Sequence, residues 1–316
     1  MNVYTQFKKP IISLAPMEDV TDIVFRQIIL SLGSRPDIFY TEFVNVEGLN
    51  SKGKDKVIHR LKFESKEKPI IAQLWGTKPE NFFKASKLVS EMGFDGVDIN
   101  MGCSVKNVLK GNAGSGLMNV DRVLVKEIIQ ATKDGSNGLP VSVKTRFGWE
   151  SVDIEGWLGF LLLDQSLNAL TIHMRTARGS GAINANWEHM GDIVKLRNEK
   201  SPNTLLFGNG DITSIASALE MVSRYKIDGI MIGRAAISNP WIFSDREDIE
   251  QEEKFEVFRK HILLFDEIWG DSKDFHSLKK FFRAYVNDFD GALHLRKSLM
   301  ECNSTKEVLD ILEGHK

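Results

Sequence analysis

Side chains that can do chemistry follow several short apolar runs of the chain. Lys144 and His173 each come at the end of such a run, and Asn100 with Cys103 follows another. Lysine supplies a cation or a Schiff base, histidine exchanges a proton near neutral pH, and a thiol donates a proton or attacks as a nucleophile. A lone histidine or cysteine is more often an ordinary packed residue. These side chains form a site only if the fold brings the ends of the runs together.

The order of apolar runs predicts such a fold. Eight short runs rich in β-branched residues alternate with segments of helical periodicity. The predicted strands are 11–15, 37–43, 69–74, 95–100, 140–144, 169–173, 204–208 and 228–233. The clearest predicted helices are 79–93, 120–135, 186–200 and 213–226. This alternation is typical of an α/β fold, the (β/α)8 TIM barrel, whose functional groups lie at the C-terminal ends of the strands.

Two glycine-containing turns add a candidate phosphate site to the barrel mouth. GNGD (208–211) and GRAA (233–236) follow the seventh and eighth predicted strands and precede predicted helices. Backbone amides and the helix dipole favour a phosphate at such helix starts. Glycine more often serves only to permit a tight turn. Two such turns after these two strands favour a phosphorylated ligand.

The segment after the fourth predicted strand is long and rich in glycine. It reads INMGCSVKNVLKGNAGSGLM over residues 99–118 and places Cys103 just beyond the strand. Such a segment can act as a mobile lid, which makes this cysteine a candidate catalytic residue. Cys302 is remote in sequence and neither cysteine has a metal-ligand spacing, so we expect no disulfide and no structural metal.

The pattern changes after Pro240 to charged and aromatic helical segments. We therefore predict a barrel domain over 1–244 and an all-helical C-terminal domain over 245–316, with the junction inside the acidic stretch 244–254. The tail is acidic overall but has a locally basic stretch. This basic patch consists of Lys279, Lys280, Arg283, Arg296 and Lys297. It can face a phosphate backbone or can be a solvated helix face.

Composition excludes some classes of protein. The 316 residues carry a formal net charge of −2, which argues mildly against a nucleic-acid binder. No run approaches the roughly 18 apolar residues of a membrane span, and the N-terminus lacks a signal-peptide pattern. We therefore expect a cytoplasmic protein without membrane contact, and we expect it to be a monomer.

Seven segments stand in an order and spacing that match one known family. They are LAPMEDVTDIVFR (14–26), YTEF (40–43), DINMGCSVKNVLKGNAGSGLM (98–118), VSVKTRFGW (141–149), LTIHMRTARG (170–179), GNGDI (208–212) and GIMIGRAAISNPWIF (229–243). The tail segment LKKFFRAYVNDFDGALHLRKSLM (278–300) is similar to the family's helical tRNA-binding domain. Over nearly its full length the chain resembles the FMN-dependent tRNA-dihydrouridine synthases, in the form closest to the bacterial B-type branch.

The resemblance implies an enzyme that reduces the C5–C6 bond of specific uridines in tRNA. It implies tightly bound FMN, NADPH as the electron donor, and Cys103 as the acid that protonates C5 after hydride reaches C6. It implies that these residues hold FMN: Pro16, Met17 and Glu18 along the ring, Gln73 and Lys144 at its pyrimidine edge, His173 beside it, and Asn209, Gly210, Asp211, Gly233 and Arg234 at its phosphate. Substrate contacts would come from Asn100, Arg175 and Arg178, and from the basic patch.

Four positions depart from the family pattern. Ser104 replaces the proline that commonly follows the cysteine, Met174 replaces a glycine, and Asn112 and Ser115 alter the glycine-rich segment. These changes bear on lid geometry and substrate preference, and none removes a catalytic group. Two alternatives stay open at this point. One is an FMN barrel acting on a free pyrimidine, such as a dihydroorotate-type dehydrogenase, and the other is a non-catalytic RNA-binding barrel.

Overall fold

The computed structural model describes residues 2–33, 35–163, 166–179, 183–244, 246 and 248–314. Its strands are β1 (Ile11–Leu14), β2 (Phe39–Tyr40), β3 (Val44–Asn45), β4 (Ile70–Trp75), β5 (Gly96–Met101), β6 (Val141–Arg146), β7 (Ala169–His173), β8 (Leu205–Asn209) and β9 (Gly229–Ile232). Its α-helices are α1 (Ile23–Ser31), α2 (Val46–Leu49), α3 (Pro79–Glu91), α4 (Lys106–Leu109), α5 (Arg122–Gly135), α6 (Gly159–Leu162), α7 (Met190–Lys200), α8 (Ile215–Tyr225), α9 (Arg234–Ser238), α10 (Gln251–Trp269), α11 (Phe282–Tyr285), α12 (Ala292–Glu301) and α13 (Thr305–Glu313).

The strands form one parallel sheet that closes on itself. Their order is β1, β9, β8, β7, β6, β5, β4 and β2, with β3 also paired to β4. A parallel bridge between Ser13 and Ile38, with the Leu14 N–H donating to the Ile38 carbonyl at 3.2 Å, joins the two ends of this order. The predicted (β/α)8 barrel is thereby confirmed, and all eight predicted strand regions contain barrel strands.

The second predicted strand, 37–43, contains the two-residue strand β2, and β3 begins directly after it. Between them the Gln73 N–H donates to the side-chain Oγ1 of Thr41 at 3.2 Å. That hydroxyl in turn donates to the carbonyl of Glu42 at 2.7 Å. A side chain thus takes the place of one backbone rung, which the apolar pattern of 37–43 does not reveal.

Helices α3, α5, α7 and α8 confirm the four predicted helices, and three of them start where their local sequence dictates. Pro79 occupies the first turn of α3. The carboxylate of Asp121 accepts the Val123 N–H at the start of α5, and the Ser214 hydroxyl accepts the Ser217 N–H at the start of α8. Helices α3 and α5 pack so closely that a Cβ built on Gly135 would lie 2.2 Å from the Phe83 carbonyl oxygen.

Aromatic and aliphatic side chains fill the barrel near the N-terminal ends of its strands. Tyr4, from a 3-10 turn ahead of β1, lies 5.9 Å from Phe207 between ring centroids. The buried residues of this cluster are Val3, Tyr4, Ile11, Ala15, Ile38, Tyr40, Ile71, Ala169, Phe207 and Met231. This packing closes one end of the barrel, so the polar side chains collect towards the other.

The chain divides into two compact units, one of residues 1–18 and 36–233 and one of residues 19–35 and 234–316. The first contains the barrel. The second is helical and combines α1 with α9 to α13. The predicted functional boundary at 244/245 stays a prediction, because compactness alone does not define where a function ends. Residues 245 and 247 of the predicted junction lie outside the described residues.

Stacked rings form the core of the helical unit. Phe25 of α1 lies 4.8 Å from Phe281, and Phe258 of α10 lies 5.0 Å from Tyr285, between ring centroids. His261 Nδ1 and the Tyr285 hydroxyl are 2.8 Å apart, and burial lowers the pKa of this histidine to about 4. The histidine is therefore a neutral packed residue at pH 7. In the described part of the chain, no helix combines the length and apolarity needed to cross a membrane.

Candidate functional site

Inward-facing polar side chains of β4, β5 and β6 form a buried hydrogen-bonded chain. Gln73 donates from Nε2 to Oδ2 of Asp98 at 2.6 Å. Asn100 donates from Nδ2 to Oε1 of Gln73 at 3.0 Å, and Ser142 donates from Oγ to Oδ1 of Asp98 at 2.5 Å. All four side chains are buried. Burial raises the pKa of Asp98 to about 6, although the hydrogen bonds from Ser142 and Gln73 act in the opposite direction.

This series of hydrogen bonds ends at the backbone of Cys103. The side-chain oxygen of Asn100 accepts the Gly102 N–H at 3.0 Å and the Cys103 N–H at 2.9 Å. The Cys103 carbonyl accepts the Ser115 N–H at 2.9 Å, so the cysteine is held on both sides. Its side chain packs against the cluster of Phe43, Val108 and Ala113. Burial raises the pKa of the Cys103 thiol, which keeps it protonated at neutral pH.

The departures in the glycine-rich segment have visible structural roles. The hydroxyls of Ser104 and Ser115, both departures, are hydrogen-bonded to each other at 3.0 Å. Asn112 has a φ of 56°, in the left-handed region that asparagine tolerates better than most residues. Gly114 has a φ of 58°, and a Cβ there would lie 2.6 Å from the Cys103 carbonyl oxygen. The segment is thus tied to the cysteine by contacts that include the unusual serines.

Two cations of β6 lie at the C-terminal end of the barrel. Lys144 is half-buried and donates from Nζ to Oδ1 of Asn209 at 3.2 Å, while Asn209 donates to the Met231 carbonyl at 2.7 Å. Burial, together with the charge of Arg146, lowers the pKa of Lys144 to about 8. Arg146 donates to the Gly102 carbonyl at 2.8 Å. The mouth therefore holds positive charge beside the base of the cysteine-bearing segment.

Arg175 joins the ends of β7 and β8. It is 4% exposed and donates to both carboxylate oxygens of Asp211 at 2.6 Å. It also lies 2.8 Å from Nε2 of His173. A guanidinium can only donate, so Nε2 is the acceptor in this contact. Gly210 has a φ of 132°, and a Cβ there would lie 2.7 Å from the Ala185 Cβ, so this turn requires glycine.

Comparison with known proteins assigns the chain to a family. The family model described as Dihydrouridine synthase (Dus) matches residues 13–315. The chain belongs to the dihydrouridine synthase family. The "Probable tRNA-dihydrouridine synthase 2" of Bacillus subtilis (strain 168) is 43% identical to it over 317 residues, covering 99% of this chain and 96% of that relative. A "Probable tRNA-dihydrouridine synthase" of Staphylococcus aureus (strain MRSA252) is 44% identical and covers 99% and 95% respectively.

Solved structures agree with the fold of this dihydrouridine synthase. Morphinone reductase aligns with a TM-score of 0.52 at 12% sequence identity, over 73% of this chain and 84% of its own. An old yellow enzyme homologue from Zymomonas mobilis aligns with a TM-score of 0.50 at 14% identity, over 72% and 86%. At such identities the likeness concerns the barrel fold alone. The predicted family resemblance is confirmed by the family match and the close relatives.

The remaining residues predicted to line a cofactor follow β1 and β9 in this dihydrouridine synthase. Pro16 is buried and Met17 is half-buried, while Glu18 forms an ion pair with Arg60 at 2.7 Å. A Cβ on Gly233 would lie 3.6 Å from the Met17 sulfur, which brings the ends of these two strands together. Arg234 begins α9 in the helical unit and is exposed.

The predicted substrate-binding cations differ in their surroundings. Arg178 is exposed and lies 5.1 Å above the Trp149 ring, whereas Arg175 is engaged inside the site. In the basic patch, Lys279 donates to the Met300 carbonyl at 2.6 Å and Lys280 to the Asp19 carbonyl at 2.8 Å. Arg296 also donates to a backbone carbonyl, and Arg283 and Lys297 are exposed.

Sequence reasoning missed roles for several residues of this dihydrouridine synthase. Asp98 was expected only as one of the polar residues that end the fourth predicted strand at the barrel mouth, without a partner or a role. Ser142 and the ion pair of Glu18 with Arg60 were not expected. A signal existed for Asp98. In GVDINM it alternates with apolar residues and shares the inward face with Asn100, at a position where a barrel strand usually carries an apolar side chain.

Proposed function

We propose that this protein is a tRNA-dihydrouridine synthase that reduces the C5–C6 bond of uridines in tRNA, using tightly bound FMN and NADPH. The observation that carries the proposal is the position of Cys103, whose backbone N–H is bound by the Asn100 side chain in the barrel that also presents Lys144. Family membership and the names of the relatives support tRNA as the substrate. We place the enzyme in the cytoplasm on the same grounds, and its monomeric state stays a prediction.

The side chains of the barrel mouth suit FMN in their chemistry. The pyrimidine edge of a flavin carries both hydrogen-bond donors and acceptors and gathers negative charge on reduction, so the Gln73 amide and the Lys144 cation are suitable partners. When bound, FMN supplies the hydride that the reaction needs. We propose that Pro16, Met17 and Glu18 line its ring and that His173 lies beside it.

The phosphate of FMN would lie against the turns after β8 and β9. Asn209, Gly210, Gly233 and Arg234 are the proposed partners. Asp211 needs a different role from the others, because its carboxylate already accepts both Arg175 and the Ala185 N–H, the latter at 2.7 Å. We propose that Asp211 meets the phosphate only through its backbone N–H, while its side chain holds Arg175.

Substrate uracil would enter beside Cys103. We propose that Asn100 contacts the base, that the Cys103 thiol gives its proton to C5, and that Arg175 and Arg178 contact the base or neighbouring phosphates. The raised pKa of the buried Cys103 thiol supports this role, since an acid must hold its proton until the substrate arrives. The patch cations, Lys279, Lys280, Arg283, Arg296 and Lys297, would contact the tRNA backbone.

A direct test uses purified protein, NADPH and tRNA transcribed without modifications, under anaerobic conditions. We expect a yellow protein that forms dihydrouridine, detected by mass spectrometry of the digested tRNA. Turnover of free dihydroorotate with none of tRNA would support the free-pyrimidine alternative instead. A colourless protein that binds tRNA without reducing it would support the non-catalytic alternative. Parallel assays with NADH determine which pyridine nucleotide is preferred.

Arg234→Ala should weaken FMN binding by about 10- to 150-fold. Removal of one charge-assisted hydrogen bond to the phosphate costs about 1.5–3 kcal/mol, which corresponds to this range. Fluorescence titration of the flavin-free protein measures the dissociation constant. Arg283→Ala is the matched control, because it removes an exposed arginine of the same helical unit without a proposed role at FMN. Unchanged FMN affinity in Arg234→Ala would reject its assignment to the phosphate.

Neutralising the basic patch should weaken tRNA binding and flatten its dependence on salt. Removing one cation that binds a phosphate should reduce the log–log slope by roughly 0.7–0.9. We expect the largest single effects from Arg283→Ala and Lys297→Ala, since Lys279, Lys280 and Arg296 already donate to backbone carbonyls. Dissociation constants over a KCl series provide the measurement, and NADPH oxidation should be unaffected. An unaltered slope identifies the patch as a solvated face.

A further inference from the structure

Each hydrogen bond between Asp98 and Cys103 has a fixed direction. The backbone N–H groups of Gly102 and Cys103 can only donate, so Asn100 must turn its oxygen towards them. Its amide nitrogen then faces Gln73 and requires the oxygen of that residue. The nitrogen of Gln73 consequently points at Asp98, whose carboxylate oxygen accepts it at 2.6 Å. The orientation of one amide thus determines that of the next.

The register of the strands places Gln73, Asp98 and Ser142 in one row across three neighbouring strands, with Asn100 two residues further along β5. Gln73 and Asp98 are paired positions of β4 and β5, and Asp98 and Ser142 are paired positions of β5 and β6. Gln73 and Asp98 are each 0% exposed and Asn100 is 5% exposed. Turning either amide over would oppose two donors or two acceptors out of reach of bulk water, which is costly. The Asp98 carboxylate that accepts from Gln73 therefore influences the orientation of Asn100, which binds the backbone at Cys103.

We propose that Asp98 is a positioning residue whose carboxylate sets the orientation of the Gln73 and Asn100 amides and thereby fixes the backbone at Cys103. Asp98 acts through these two amides and does not contact the thiol. The inference deepens the proposed function, since Gln73 and Asn100 are the residues assigned there to FMN and to uracil. Ser142 holds the second carboxylate oxygen and steadies the group.

Hydrogen exchange at the Gly102 and Cys103 amides tests this proposal without any catalytic assay. Asp98→Ala removes the acceptor for Gln73, and we expect both amides to exchange about tenfold faster or more in the full-length protein as purified, compared at equal flavin content. Overlapping peptides analysed by mass spectrometry isolate these two positions. Wild-type exchange in Asp98→Ala would overturn the proposal.

Two further variants separate positioning from general loosening of the barrel. Asp98→Asn can keep its oxygen towards Gln73 while its amide donates to the Ser142 hydroxyl, so exchange should return to within about threefold of wild type. Ser142→Ala removes the other side-chain hydrogen bond of Asp98, from the same row of paired positions, and should also leave exchange within about threefold. Equal acceleration in Ser142→Ala and Asp98→Ala would mean a merely structural role and would overturn the proposal.

If Asp98→Ala does not fold, Gln73→Leu provides the equivalent break, because it keeps Asp98 and removes the link to Asn100. The same acceleration at Gly102 and Cys103 is expected, and its absence counts against the proposal. These measurements need neither tRNA nor NADPH. A protein that shows the exchange pattern but makes no dihydrouridine would retain the positioning role while refuting the proposed function.

Discussion

Replacing Cys103 with alanine should slow the reduction of uridine in tRNA by about 10²- to 10⁴-fold, the usual contribution of a positioned general acid. Flavin binding should be normal, and NADPH should be consumed in the first half-reaction at the wild-type rate. The physical reason is the position of the thiol. It lies on the segment after β5, held through its backbone by Asn100, and burial keeps it protonated. In the proposed mechanism its proton is needed only when a uracil is present.

Anaerobic stopped-flow measurement separates the two half-reactions. Protein reduced by NADPH is mixed with unmodified tRNA, and the return of the oxidised flavin absorbance is followed. Cys302→Ala is the matched control, since Cys302 is the other cysteine of the chain and has no proposed role in catalysis. Cys103→Ser should be slightly faster than Cys103→Ala, because a hydroxyl donates weakly. Wild-type reoxidation in Cys103→Ala would remove Cys103 from the mechanism, and loss of the NADPH step would assign it a structural role.

The barrel could be predicted from sequence because its strands are buried on both faces. Such strands appear as short continuous apolar runs, as in β4 and β9, and turn or cap residues separate them from amphipathic helices. The prediction lost detail where a side chain replaced a backbone partner. Thr41 does so within the second predicted strand. Local periodicity records burial and does not record which group accepts a hydrogen bond.

The composition of the helical unit was harder to predict, because it includes a segment from early in the chain. Helix α1 lies between two barrel strands in sequence, yet it belongs to the same compact unit as α10 to α13. Its start is capped by Asp22, which also accepts hydrogen bonds from Trp269 at 2.9 Å and Lys273 at 2.8 Å. Contacts between residues so far apart in sequence leave no periodic signal.

The family resemblance identified the site residues but did not show which side chains they bind within the protein. Arg175 was expected to meet the substrate and Asp211 the phosphate, whereas the structure joins their side chains to each other. Both expectations stay predictions, and the pair makes them interdependent. Ser104 and Ser115, noted separately as departures from the family, form one hydrogen bond. Pairing of this kind depends on distances across loops, which motif spacing does not determine.

The buried carboxyl of Asp98 should contribute a destabilisation that grows as the pH rises from 4 to neutral. Its pKa is raised to about 6 in the folded protein from an ordinary value of 3.8. Between these two values the folded state binds the proton more tightly than the unfolded state, so stability falls as the pH rises through this window. Above about pH 6 the whole penalty is present, and a shift of about two units corresponds to about 3 kcal/mol.

Asp98→Asn should therefore gain stability relative to the wild type by about 2.5 kcal/mol when the pH is raised from 4 to 7.5, since an amide does not ionise and a small part of the penalty is already present at pH 4. Urea unfolding of both proteins at the two pH values, at matched flavin content, gives this double difference and cancels the titration of all other groups. A double difference near zero would mean that Asp98 has an ordinary pKa in the folded protein. A positive value means that the barrel retains a destabilising carboxylate at neutral pH, which is expected of a residue that serves the orientation of Gln73 and Asn100 more than the stability of the fold.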